Sequence, residues 1–145
     1  MILSLKVLDK FDEEDAVDRF NREIKTMINL SHSEHVVRIF DYGIYNERPF
    51  YVMEYLQRGS LRNFVGLANL RFAYTVLKNV SSSLLELQSK GGFHRDIKPD
   101  NILVAENQQG EIIVKLSDFG LARTADTTFF TNRPAGLPTC HPKLY

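Results

Sequence analysis

The sequence predicts an α+β fold in two parts, a strand-rich small one and a more helical large one. Short apolar runs rich in β-branched and aromatic residues gather before residue 56 and return at 102–116. Two longer segments repeat their apolar residues every three or four positions, as helices do. Between them Gln57-Arg58-Gly59-Ser60 breaks both patterns, which divides the chain into residues 1–56 and 57–145.

The elements follow in order. Residues 2–8, Ile-Leu-Ser-Leu-Lys-Val-Leu, have the length and composition of a strand. The acidic stretch from Asp9 to Asp15 suits a helix start, because carboxylates complement the positive end of the helix dipole. Val17, Phe20, Ile24, Met27 and Ile28 then mark a helix over 14–30, ended by Ser31-His32-Ser33. Residues 36–42 and 49–55 read as two strands of a hairpin connected by 43–48. A short helix near 60–66 precedes a longer one over 69–90, whose broad apolar face carries Leu70, Ala73, Val76, Leu77, Val80, Leu84 and Leu87. Gly91-Gly92 stops it. Two short strands, 102–104 and 112–116, flank a polar connection, and everything after Gly120 reads as a Thr/Pro/Gly-rich loop.

Composition excludes several classes. With 43% hydrophobic and 25% charged residues the chain is not built for wholesale disorder. Eighteen basic side chains balance 18 acidic ones, so no broad electrostatic footprint for nucleic acid or an acidic membrane is expected. The lone Cys140 excludes an internal disulfide framework and fits a reducing compartment. No apolar run approaches the ~20 residues of a spanning helix, and the start lacks signal-peptide features. A cytoplasmic chain is expected.

Chemistry is concentrated in His94-Arg95-Asp96-Ile97-Lys98-Pro99-Asp100-Asn101 and, beyond a pair of short strands, Asp118-Phe119-Gly120. The first segment sets a carboxylate, an ammonium and an amide on one proline-stiffened loop; the second adds another carboxylate. Phosphoryl transfer needs such parts: a group to orient the attacking hydroxyl, a cation for the transferred charge, and oxygen ligands for Mg²⁺. Either motif alone could be a solvated turn. Their order and separation carry the functional reading. Taken by itself, Glu23 can pair with Arg19 one helical turn away, and Lys6 reads as an edge-strand lysine. His32, His35 and His141 show no metal-ligand spacing.

The chain resembles the eukaryotic-type protein kinase family from Leu3 to about Pro138. His94 to Asn101 is similar to that family's catalytic loop and Asp118-Phe119-Gly120 to its metal-binding triplet. The resemblance implies an incomplete two-lobe kinase fold, ATP and Mg²⁺ as cofactors, and a protein substrate with a Ser/Thr hydroxyl. It implies Asp96 as catalytic base or hydroxyl-orienting group, with Asn101 and Asp118 as metal ligands. Lys98 resembles the serine/threonine form of the loop, where it meets the γ-phosphate. Leu3-Ser4-Leu5-Lys6 resembles the family's Val-Ala-Ile-Lys strand, so Lys6 would reach the α- and β-phosphates and pair with Glu23. Residues 52–56 and Gly59-Ser60-Leu61 resemble the hinge. There Met53 would guard the back of the nucleotide pocket, the backbone of Glu54 and Leu56 would hold adenine, and Leu103 would lie beneath the ring. Met27, Ile39, His94 and Phe119 would stack as an apolar spine, with His94 structural. Arg95 could pair with a phosphate on Thr124, Thr127, Thr128 or Thr131.

The pattern departs at both ends. None of the eight glycines is spaced Gly-x-Gly, so the phosphate-covering loop is absent from the sequence. Gly136-Leu137-Pro138 has Leu137 where the family has threonine, and no Ala-Pro-Glu follows. A truncated catalytic domain, weak or inactive by itself, is the leading expectation. Part of the apolar face on 69–90 would then lack cover, which predicts poor solubility or a partner such as another kinase or a chaperone. The alternatives are a non-catalytic nucleotide- or protein-binding remnant and a small-molecule phosphotransferase; the latter group usually lacks the Arg95 and Lys98 pattern.

Overall fold

The computed structural model describes residues 2–67 and 69–122. Strand β1, Leu3–Val7, alternates as a half-buried strand should: Leu3, Leu5 and Val7 face out while Ser4 and Lys6 are partly covered. It is an edge strand of an antiparallel sheet ordered β1-β3-β2, with β2 Ile39–Tyr45 and β3 Arg48–Glu54. In the β1–β3 register Lys6 stands opposite Tyr51.

The hairpin is tighter than the sequence predicts. Pairing runs to Tyr45 and Arg48, leaving only Asn46 and Glu47 in the turn, at φ 47° and 64°. Positive φ at both central residues gives the twist that two-residue hairpins favour. The expected start at residue 36 also moves, because the backbone there pairs elsewhere. Val37 N–H donates to the Leu116 carbonyl at 3.0 Å, and Leu116 N–H to that of His35 at 2.8 Å.

Helix α1, Glu14–Asn29, begins with Glu14 and Asp15 and buries Ala16, Phe20, Glu23, Ile24, Thr26 and Met27. The expected short helix at 60–66 is a 3-10 turn, Leu61–Phe64. Helix α2, Leu70–Ser89, is capped by Asn69, whose side-chain oxygen accepts the Phe72 N–H at 2.9 Å. Gly91, at φ 69°, turns the chain out of the helix, and Gly92 N–H closes on the Leu87 carbonyl at 3.0 Å. The apolar face of α2 divides. Val76 and Leu87 are buried and Val80 and Leu84 pack against the core, whereas Leu70 and Leu77 are exposed. The contacts of α2 are chiefly with β5, which covers only one side of the stripe.

Strands β4, Ile102–Glu106, and β5, Ile112–Leu116, form a separate antiparallel ribbon. Its β4 arm is two residues longer than predicted, because the Asn107 side chain organises the turn by accepting from the N–H groups of Gln109 and Glu111. One apolar cluster unites the parts: Phe20, Ile24 and Met27 of α1 with Tyr51 of β3, Val76 and Leu87 of α2, and Val114 and Leu116 of β5. No helix among the described residues is long and apolar enough to cross a membrane.

Candidate active site

Lys6 and Glu23 meet. The Lys6 ammonium donates to both carboxylate oxygens of Glu23, at 2.8 and 2.9 Å. Thus the carboxylate turns to a strand 17 residues away rather than along its own helix. The helix carries Glu23 inward between Phe20 and Ile24, so it is 2% exposed, while the Lys6 side chain keeps 38%. Burial raises the carboxyl pKa above its ordinary value; the Lys6 charge and hydrogen bond oppose the rise, and the charge of Asp118 adds to it.

The catalytic-type loop is closed around Asp96. Its Oδ2 accepts from Lys98 Nζ at 2.8 Å and from Asn101 Nδ2 at 2.9 Å. The same Asn101 nitrogen also donates to the Asp96 carbonyl at 2.8 Å. The Lys98 hydrogen bond, with help from Asn101, holds the Asp96 carboxyl below the usual range. A 3-10 turn, Pro99–Asn101, delivers the amide, and its Asp100 is gripped by both nitrogens of an Arg62 fork at 2.5 Å. Asn101 is buried, and its carbonyl accepts from the Ser117 N–H and hydroxyl, which ties the loop to the segment bearing Asp118.

His94 sits under this loop as a structural residue. Its Nδ1 accepts the Asp96 N–H at 3.2 Å, so the ring proton is on Nε2, which donates to the Ser117 carbonyl at 3.1 Å. Burial pushes its pKa down, so the ring is neutral. It packs on Phe119 with centroids 4.8 Å apart. Met27 and Phe119 are fully buried and Ile39 packs beside the same core. Two non-glycine residues here adopt left-handed backbone, Arg95 at φ 67° and Asp118 at φ 58°. Such conformations concentrate where surrounding structure imposes them, commonly at functional sites.

At the junction of the parts, Glu54 N–H donates to the Arg38 carbonyl at 3.0 Å. Its carboxylate accepts from the Arg38 N–H at 2.7 Å and from Lys115 Nζ at 2.6 Å. Met53 is half-buried, Leu56 is buried, and Leu103 is half-buried opposite Lys115. Tyr51 belongs to no motif, yet its hydroxyl donates to Glu23 Oε1 at 2.8 Å. In the sequence it is marked only by its place in a strand, since a buried tyrosine needs a partner for its hydroxyl. Thr124, Thr127, Thr128, Thr131, residues 136–138 and Cys140 lie outside the described residues.

A sheet with one inward helix, joined to a helix and a two-stranded ribbon that carries the catalytic-type loop, is an incomplete two-lobe kinase architecture. The chain belongs to the protein kinase family: the family's protein kinase domain matches residues 1–137. It is 31% identical over 144 residues, 96% of the chain, to a probable serine/threonine-protein kinase of Clostridium perfringens. It is 36% identical over 113 residues, 77% of the chain, to a serine/threonine-protein kinase of Myxococcus xanthus, and 33% identical over 146 residues, 97% of the chain, to a probable one of Lactococcus lactis. These alignments span 20%, 16% and 22% of those three proteins. The chain therefore covers a minor part of the length of the curated relatives it matches.

Proposed function

We propose that this chain carries the phosphoryl-transfer centre of a serine/threonine protein kinase, which moves the γ-phosphate of ATP to a protein hydroxyl. The observation that supports it best is the clamp of Lys98 and Asn101 on Asp96, which the bonds from Ser117 to the Asn101 carbonyl tie to the segment bearing Asp118. Residues 1–56 would serve as the part of the small lobe that ends in the hinge and residues 57–145 as the part of the large lobe.

In this reading Asp96, held ionised, accepts the substrate hydroxyl and aims its oxygen, and Lys98 neutralises charge on the transferred group. Lys6, oriented by Glu23, reaches the α- and β-phosphates. The donor chemistry fits a hard cation: the Asn101 amide nitrogen is turned to Asp96, so Asn101 would offer Oδ1, and the Asp118 carboxylate would offer the second oxygen donor. Mg²⁺ typically keeps several waters and takes one or two protein donors together with phosphate oxygens, so two donors would suffice. Bound Mg²⁺ would supply charge neutralisation on the phosphates. With its N–H held by Arg38, Glu54 would meet adenine through its carbonyl alongside the backbone of Leu56, while Met53 would guard the back of the pocket and Leu103 would lie beneath the ring. Lys98 and the names of the relatives support the serine/threonine assignment.

The test is a pair of measurements on the purified chain. Mg-ATP should raise the melting temperature, an effect removed by EDTA and by Asp118→Asn. Radiolabelled phosphate transfer by the same chain should vanish in Asp96→Asn. Binding without transfer would assign a binding module, and no Mg-dependent binding would defeat the reading.

A further inference from the structure

The Tyr51 hydroxyl is buried beside the ion pair and has a single acceptor, Glu23 Oε1, at 2.8 Å. Its ring is fixed from two sides: Phe20 of α1 lies 5.2 Å away between centroids, and the Lys6 ammonium lies over the ring at 5.5 Å. Packing alone would be served as well by phenylalanine, so the hydroxyl is the informative part. A buried hydroxyl costs free energy unless bonded, and this one is bonded to a carboxylate.

Among the described residues, Lys6 from β1 and Tyr51 from β3 hydrogen-bond the Glu23 carboxylate, while the charge of Asp118, beyond β5, works against its ionised form. Lys6, 38% exposed, can exchange its carboxylate for water, while the Glu23 side chain at 3% cannot follow. The remaining anchor comes from the sheet itself. We propose that Tyr51 is a positioning residue for the ion pair: its hydroxyl pins the Glu23 carboxylate toward β1, and so holds α1 in the register that presents Glu23 to Lys6. Its consequence for nucleotide rests on the assignment of Lys6 to the phosphates.

Tyr51→Phe isolates the bond because the ring stays. Two readouts are needed: hydrogen exchange of the α1 amides without nucleotide, and the dissociation constant of Mg-ATP. Tyr51→Phe should speed exchange across residues 20–27 and weaken Mg-ATP, each by about tenfold, the size of a hydrogen bond to a charged group. Exchange at the β4–β5 ribbon should not move. In a Glu23→Ala background Tyr51→Phe should add nothing to either. Unchanged α1 exchange in Tyr51→Phe, or additive effects in the double variant, would overturn the proposal. If the unmodified chain does not bind Mg-ATP the kinase reading fails, and the exchange experiment still decides the role of Tyr51.

Discussion

Asn101 grips Asp96 at two points, donating from one side-chain nitrogen to the backbone carbonyl at 2.8 Å and to the carboxylate at 2.9 Å. The loop is therefore closed by a buried amide. Asn101→Ala should lower unfolding stability by roughly 1–3 kcal/mol, because it strips these bonds from a covered site. Urea denaturation measures the loss. Asn101→Asp should be worse than alanine, since it sets a second carboxylate against Asp96.

Lys6 and Glu23 should not be equivalent under substitution. Lys6→Met leaves a buried carboxylate with only the Tyr51 hydroxyl, at a cost of about 1–3 kcal/mol. Glu23→Gln leaves a neutral amide that still accepts from Tyr51, and the half-exposed ammonium can turn to water. Equilibrium unfolding should thus rank Lys6→Met below Glu23→Gln. The opposite order would mean that the lysine, not the carboxylate, bears the desolvation.

His94 makes stability depend on pH. Its folded pKa is below 6.5, the value expected once the chain unfolds. Between those two values the unfolded state binds the proton and the folded state does not, so stability falls as pH drops below 6.5. The slope is up to about 1.4 kcal/mol per pH unit over that window. Urea midpoints at pH 7.5 and 5.5 should diverge more for the unmodified chain than for His94→Gln.

Gly59 should resist substitution. It holds φ +72° and a Cβ placed there would lie 2.8 Å from Asn63 Nδ2. Its carbonyl also accepts the Val104 N–H at 2.8 Å, which stitches the segment to β4. Gly59→Ala should cost about 1–3 kcal/mol and lower the melting temperature. Asn63→Gly should recover the part due to the clash and not the part due to φ.

What could be read ahead was what is local. The spacing of Phe20, Ile24 and Met27 located α1 to within a residue, and Gly91-Gly92 marked the end of α2. Asp96, Lys98 and Asn101 share one short loop, so their meeting followed from proximity in sequence. The hairpin was misplaced by three residues at its first strand. The chain at His35 and Val37 pairs with Leu116, some 80 positions on, and no local pattern announces that bond. Tyr51 was missed for the same reason. Its partner is fixed by the β1–β3 register and by the depth of α1, both products of packing. Leu70 and Leu77 share periodicity with Val76 and Leu87, but periodicity marks a face without saying what will cover it.

The carboxylate of Glu54 joins three stretches of chain at one point: the approach to β2 through Arg38, the end of β3, and β5 through Lys115. The backbone bonds between His35, Val37 and Leu116 reinforce the same seam, so a single neutralising change, Glu54→Gln, would loosen one of two fastenings between the sheet and the ribbon rather than part them.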